Sequence, residues 1–115
     1  IMSWDAYCNL PSATMACIAG VDGTQWGKKG DWKMTKDEGA KLAKASQGSM
    51  LPISGVKYMI VNKSGDVFFG IKGDNALVVY PLKKCFLAAV GPKGNQGQLI
   101  EEIGKFADSL SKGGY

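Results

Sequence analysis

Two large aromatic side chains, Trp4 and Tyr7, lie three positions apart in the stretch MSWDAYC near the start of the chain. Residues 3–9 are predicted to form a short helix with Ser3 as its N-cap, and Pro11 then ends it. At this spacing the two rings share one face of the helix. The residues by themselves favour rings that hold a chain end onto the core, and a binding surface is the alternative.

The side chains that usually carry catalysis are missing or dispersed. The sequence contains no histidine, which removes the most common general base and the most common metal ligand. The stretch GIKGDN at residues 70–75 lacks the Walker pattern and leads into a strand, so no phosphate loop is predicted there. The scattered carboxylates form no evident acid–base pair. The sequence therefore predicts neither an enzyme nor a metal or cofactor site.

The composition predicts a single domain over residues 2–115, with Ile1 set aside as a cloning remnant. The chain has 115 residues, 45% of them hydrophobic, which is enough for a core without disulfides or metals. Its three cysteines are an odd number, and the sequence shows no secretory signal and no apolar run of membrane-spanning length. We therefore expect a cytoplasmic monomer with reduced thiols.

The basic residues are all lysines, and the formal net charge is +4. A mild positive balance is compatible with an acidic protein partner or an anionic membrane surface. It differs from the dense, arginine-rich pattern of nucleic-acid-binding proteins. No nucleic-acid partner is expected.

A hairpin and a capped helix follow the N-terminal segment. Residues 15–21 and 24–27 form the predicted strands of the hairpin, because Asp-Gly between them is typical of a tight turn. Thr35 and Glu38 have the spacing of a capping box at the start of a helix with a small apolar face.

Four short strands and an amphipathic helix complete the chain. The predicted strands are 56–62, 67–71, 76–80 and 85–90. Their short connections favour an antiparallel meander, and the apolar stripe over residues 99–110 predicts a C-terminal helix. The predicted fold class is α+β, one antiparallel sheet with helices packed against it.

The chain resembles the profilin family of small actin-monomer-binding proteins. The motifs that carry the resemblance occur in the family's order over residues 2–115: MSWDAY, GVDGTQW, GVKYMIV, GIKG and FADSLSKGGY. The resemblance implies a central antiparallel sheet with the N- and C-terminal helices packed on one face and a short helix on the other. It also implies a protein without catalytic activity or cofactor.

The resemblance implies that proline-rich segments bind between the terminal helices. The implied polyproline-binding residues are Trp4, Tyr7, Trp26, Leu110 and Tyr115. A polyproline helix is preformed and loses little entropy on docking, and Trp and Tyr can donate to its carbonyls. We expect these aromatics to face solvent. Relatives usually carry Tyr or His where this chain has Ser109, so we expect a narrower or weaker site.

The resemblance further implies an actin surface on the side opposite the N-terminal helix, formed by the later strands and the start of the C-terminal helix. The implied actin-binding residues are Lys57, Met59, Lys72, Asn75, Lys84, Asn95, Gly97 and Glu101. Because actin is acidic, the lysines suit steering and rim contacts, and the alternative for each is a solvated surface charge. Phosphatidylinositol 4,5-bisphosphate is a further implied ligand, through Lys28, Lys29, Lys33, Lys83 and Lys84.

We therefore expect a cytoskeletal protein that sequesters actin monomers, promotes their nucleotide exchange, delivers them to barbed ends and binds proline-rich partners such as formins. One alternative is a polyproline-binding module with weak or no actin binding. Another is a small trafficking-type scaffold of similar topology, and the aromatics at both ends of the chain argue against it.

Overall fold

The computed structural model describes residues 4–30, 32–44, 50–53, 56–64 and 67–115. The predicted N-terminal helix is a 3₁₀ helix at Trp4–Cys8, and its predicted cap, Ser3, lies outside the described residues. Helix α1 spans Lys36–Ala43 and helix α2 spans Gln96–Lys112, preceded by a 3₁₀ turn at Lys93–Asn95. Both predicted α-helices are confirmed.

Seven antiparallel strands of the described residues form one sheet. They are β1 (Met15–Gly20), β2 (Gln25–Lys29), β3 (Met50–Ile53), β4 (Val56–Ser64), β5 (Val67–Lys72), β6 (Asn75–Pro81) and β7 (Cys85–Pro92). Their order is β2-β1-β7-β6-β5-β4-β3, which confirms the predicted hairpin and meander. The sequence does not predict β3, because Pro52 interrupts its pattern. A proline is tolerated there since β3 is an edge strand, where one side of the backbone has no neighbour to pair with.

The sheet separates two hydrophobic layers. Along β7, Leu87 and Ala89 belong to one layer, whereas Phe86 and Ala88 belong to the other. Helix α2 packs over β6 and β7 and the 3₁₀ helix packs over β1 and β2, both against the first layer. Helix α1 covers the second layer through the buried Leu42. The predicted arrangement of terminal helices on one face and a short helix on the other is confirmed.

Helix α1 packs very closely against the β1–β2 hairpin. Its predicted capping box is formed: the Glu38 N–H donates to the Thr35 hydroxyl at 3.2 Å, and the Thr35 N–H donates to the Glu38 carboxylate at 2.8 Å. A Cβ added to Gly39 would lie 2.8 Å from both the Cα and the carbonyl oxygen of Gly23 in the hairpin turn. Two backbones therefore meet where only glycine leaves enough room.

The close contact predicts opposite effects for two helical glycines. Gly39→Ala should lower the free energy of unfolding by about 1–3 kcal/mol, because the hairpin backbone must move away. The matched control is Gly104→Ala in α2, where a Cβ meets no atom within 4 Å, and it should stabilise by up to about 1 kcal/mol through helix propensity. Urea unfolding measures both values, and equal changes in the two variants would contradict the contact.

Candidate functional site

Four aromatic rings meet where the 3₁₀ helix, the β1–β2 hairpin and the end of α2 come together. We call Trp4, Tyr7, Trp26 and Tyr115 the aromatic cluster. The Trp4 ring centroid lies 5.7 Å from that of Tyr7, 4.8 Å from that of Trp26 and 5.2 Å from that of Tyr115. The centroids of Trp26 and Tyr115 are 6.1 Å apart. The planes are tilted or edge-on, which suits the quadrupoles of aromatic rings, so both ends of the chain contribute to one continuous surface.

Tyr115 reaches the cluster because the chain turns back after α2. Gly114 adopts a φ of +93°, a left-handed conformation that glycine accommodates without strain. The Tyr115 N–H donates to the Leu110 carbonyl at 3.1 Å, and the Lys84 N–H donates to the Tyr115 carbonyl at 2.6 Å. These hydrogen bonds fix the backbone that carries the ring.

Two side chains, Lys29 and Glu102, hold the segment after the 3₁₀ helix against the rest of the molecule through hydrogen bonds. The Lys29 ammonium donates to the Leu10 carbonyl at 2.7 Å and to the Ala13 carbonyl at 3.0 Å. On the α2 side, Ser12 donates to the Glu102 carboxylate through its N–H at 3.1 Å and its hydroxyl at 2.8 Å. Since the fold uses the Lys29 ammonium in this way, its geometry argues against the predicted contact with a lipid phosphate.

The cluster is half-buried, not solvent-facing as the sequence predicts. All four rings pack against the core layer under the terminal helices. Leu110, predicted to bind the ligand, is only 1% exposed, so it supports the rings from below and offers no surface. The two interpretations of Trp4 and Tyr7 are therefore compatible, because the same rings anchor the chain end and remain partly open to solvent.

The indole N–H groups of Trp4 and Trp26 remain available as donors. Within the part of the chain that the structure describes, neither donates to another protein group, and the buried side-chain polar atoms that lack a partner belong to Trp32 and Gln96. The two N–H groups of the cluster therefore reach solvent. Such donors suit a ligand whose backbone carbonyls have no internal partner, as in a polyproline helix.

A depression continues from the cluster along α2. The Tyr7 and Phe106 ring centroids are 6.0 Å apart, and beyond Phe106 the surface opens into a cavity of about 550 Å³, the Ser109 depression. It is lined by Asn9, Pro11, Glu102, Lys105, Phe106 and Ser109. The small side chain at position 109 borders this open space, and the narrower or weaker polyproline site expected from Ser109 stays a prediction. Sequence reasoning placed Phe106 only in the apolar stripe of α2, although its position one turn before the predicted site residue Leu110 indicated the neighbourhood.

The terminal helices leave part of their own sheet face uncovered. In the described part of the chain the terminal helices pack mainly on β1, β2, β6 and β7 on that side, and β3 and β4 carry exposed side chains there. Met50 and Met59 pair across β3 and β4 and are 50% and 48% exposed. Lys57 shares the strand face of Met59, and Ile71 pairs with Met59 from β5. We call these four residues the uncovered sheet face; the sequence predicts two of them, Lys57 and Met59.

Most of the other predicted actin-binding residues gather at one end of the sheet. Lys72 and Asn75 flank the β5–β6 turn, and the Lys93 N–H donates to the Asp74 carbonyl at 2.8 Å, which brings the start of α2 to this turn. The residues at that start are Asn95, Gly97 and Glu101. The predicted location needs one correction: the uncovered sheet face lies on the same face of the sheet as the N-terminal helix, on the other side of α2.

Lys84 does not belong with this group. It precedes β7, whereas Asn75 pairs with the other end of β7, about 25 Å away for a strand of this length. Lys83 and Lys84 are exposed in the turn beside the aromatic cluster. Lys28 and Lys33 are exposed near β2, which β1 separates from β7. The lysines predicted to bind lipid therefore form two groups and not one patch.

The three thiols are poor candidates for covalent chemistry. Cys8, Cys17 and Cys85 are buried and outside disulfides. Burial raises the pKa of Cys85 to about 11, and burial together with the neighbouring Cys8 raises the pKa of Cys17, so both thiols stay protonated at neutral pH. The described residues contain no group of three or more His, Cys, Asp or Glu side chains placed to hold a metal ion. They also contain no helix with the length and hydropathy needed to span a membrane.

The sequence matches the profilin family over residues 2–115. It is 24% identical to Profilin-3 of Caenorhabditis elegans over 119 aligned positions, which cover 93% of this chain and 94% of that relative. The structure is similar to that of Acanthamoeba castellanii profilin IB, with a TM-score of 0.84, 24% identity and coverage of 98% of this chain and 100% of the other. This likeness is one of fold, and it covers nearly the whole chain.

Two similar structures are complexes. LokiProfilin1 in complex with rabbit actin has a TM-score of 0.66, 24% identity and coverage of 89% of this chain and 85% of the other. Mouse Profilin IIa in complex with a double repeat from the FH1 domain of mDia1 has a TM-score of 0.80, 18% identity and coverage of 99% and 100%. The same fold thus occurs in one protein complexed with actin and in another complexed with an FH1 segment.

Proposed function

Because this chain belongs to the profilin family, we propose that it binds monomeric actin and proline-rich segments through two separate surfaces. The aromatic cluster binds the proline-rich segment, and the uncovered sheet face with the start of α2 binds actin. One observation carries the proposal: the terminal helices meet beside a continuous set of four rings and leave exposed side chains on β3 and β4. Profilins act on the assembly of actin and are not enzymes.

The shape and chemistry of the aromatic cluster support a polyproline helix as its ligand. Mutually packed rings are already ordered, so binding requires little further loss of side-chain entropy. Ring faces can contact pyrrolidine rings, and the indole N–H groups of Trp4 and Trp26 can donate to the carbonyls. The FH1 segment bound by a protein of the same fold, mouse Profilin IIa, is consistent with this ligand class.

Addition of a proline decamer should change the tryptophan fluorescence of the protein, and the change should reach a plateau as the binding site is saturated. Tyr7→Ala should weaken binding about tenfold or more, because an aromatic anchor between Trp4 and Phe106 is lost. The control is Met59→Glu, which alters the uncovered sheet face and should leave the titration unchanged. If the wild-type fluorescence stays constant at millimolar peptide, the proposed ligand is wrong.

The uncovered sheet face supports actin as the second partner. Met50 and Met59 present adaptable apolar side chains, and Lys57 adds a positive charge at the same face. Exposed apolar residues with a charged rim are typical of protein interfaces. The complex of LokiProfilin1 with rabbit actin is consistent with such a partner for this fold. We propose that binding sequesters monomers, promotes their nucleotide exchange and delivers them to barbed ends.

The protein should slow the spontaneous assembly of pyrene-labelled actin. Met59→Glu should weaken actin binding about tenfold or more, because it buries an unpaired carboxylate in the interface. Val21→Glu is the matched control, since Val21 is 45% exposed in the hairpin turn and should have no effect. Adding a formin with its proline-rich region tests both surfaces together. Normal peptide binding without any effect on actin would instead favour the polyproline-binding module that lacks actin binding.

We further propose that the protein acts in the cytoplasm as a monomer. We also propose that its exposed lysines attract anionic lipid. One group of lysines, Lys83 and Lys84, lies beside the aromatic cluster, and the other group consists of Lys28 and Lys33. Each lysine near an anionic membrane contributes about 1 kcal/mol of screened attraction.

In a co-sedimentation assay at low salt, the protein should pellet together with vesicles that contain phosphatidylinositol 4,5-bisphosphate. The double variant Lys83→Gln/Lys84→Gln should reduce the bound fraction, whereas Lys29→Gln should affect mainly the stability of the fold, since that ammonium is held by backbone carbonyls. Binding that persists in about 0.5 M salt, where the Debye length is only a few ångströms, would contradict an electrostatic mechanism.

A further inference from the structure

We propose that the ligand groove continues past the aromatic cluster into the Ser109 depression, and that this end selects proline-rich segments flanked by an acidic residue. The inference rests on the proposed proline-rich ligand and adds the class of segment that the site prefers.

The Ser109 depression is continuous with the aromatic cluster. Tyr7 and Phe106 contact each other edge-on, with their planes at 76°, and Phe106 also lines the depression. A peptide segment that runs over Trp4 and Tyr7 toward α2 therefore enters the depression next. The depression has a volume of about 550 Å³, which is ample for the side chain of a flanking residue.

Two charged residues line the Ser109 depression, and the fold uses only one of them. Both oxygens of the Glu102 carboxylate accept hydrogen bonds from Ser12. The Lys105 side chain is exposed, and within the described ranges its ammonium makes no ion pair or hydrogen bond. The ion pair that α2 does contain joins Asp108 to Lys112 at 3.1 Å. Lys105 is thus the charge left to meet a ligand.

The available ammonium determines the preferred flanking residue. A carboxylate in the depression can accept a charge-assisted hydrogen bond from Lys105, whereas a lysine or arginine there would face an unpaired like charge. The Glu102 carboxylate is half-buried and already bonded, so it competes for Lys105 less than a free carboxylate would. An acidic residue next to the proline run is therefore favoured over a neutral or basic one.

Matched peptides test the preference. The peptides are a proline decamer, the decamer with glutamate at one end or the other, and the same peptides with glutamine in place of glutamate. In low salt, one glutamate peptide should bind wild-type protein about two- to fivefold more tightly than its glutamine counterpart, as for an exposed ion pair. Lys105→Gln should abolish the preference and Lys105→Glu should reverse it.

Further variants and peptides distinguish a failure of this inference from a failure of the proposed function. Lys72→Gln makes the same charge change as Lys105→Gln at the far end of the sheet and should keep the preference, which excludes an effect of net charge. If the plain decamer binds but glutamate and glutamine peptides bind equally, the inference is overturned while the proposed function stands. If the preference is lost in Lys84→Gln and not in Lys105→Gln, the acidic flank lies at the other end of the cluster and the inference is wrong. If no peptide binds, the proposed function itself fails.

Discussion

The two terminal helices cover only part of one sheet face, and this partial cover creates both candidate surfaces. A helix with its side chains is about 10 Å wide and neighbouring strands are about 4.8 Å apart, so each helix covers roughly two strands. The 3₁₀ helix lies over β1 and β2, and α2 lies over β6 and β7. Among the described residues, β3, β4 and the Ile71 end of β5 remain open on this face, and a seam forms between the helices. The seam holds the aromatic cluster, and the open strands hold Met50 and Met59.

The aromatic cluster depends on long-range contacts that order both ends of the chain. Lys29 and Glu102 hold the segment around Ser12 from opposite sides, and the Lys84 N–H holds the carbonyl of Tyr115. With the backbones held, the rings pack on one another and on the core beneath. Their burial stabilises the fold, and their remaining open faces form a preordered surface for the proposed ligand. Folding and the proposed ligand binding therefore use the same side chains.

Local patterns allowed most of the fold to be predicted. Alternation and turn residues located β1, β2 and β4 to β7, and the spacing of Thr35 and Glu38 located the start of α1. The edge strand β3 escaped prediction because Pro52 contradicts strand propensity, and only its position at the sheet edge makes the proline acceptable. The burial of Leu110 was foreseeable, since it continues the apolar stripe that Leu99 and Ile103 begin.

The sequence by itself determined the elements other than β3, because turn chemistry and hydrophobic period are properties of neighbouring residues. Its ordered motifs indicated the family, and the resemblance implied the four rings of the aromatic cluster. Only the tertiary structure decided which of the predicted residues can meet a ligand. In the tertiary structure Leu110 is buried, and the Lys29 ammonium donates to two backbone carbonyls. Lys84 lies beside Tyr115 of the aromatic cluster, and Ser109 lines a depression. The physical reason is that burial and hydrogen bonding arise between segments as distant as Ser12 and Glu102, and no local pattern records which segments become neighbours.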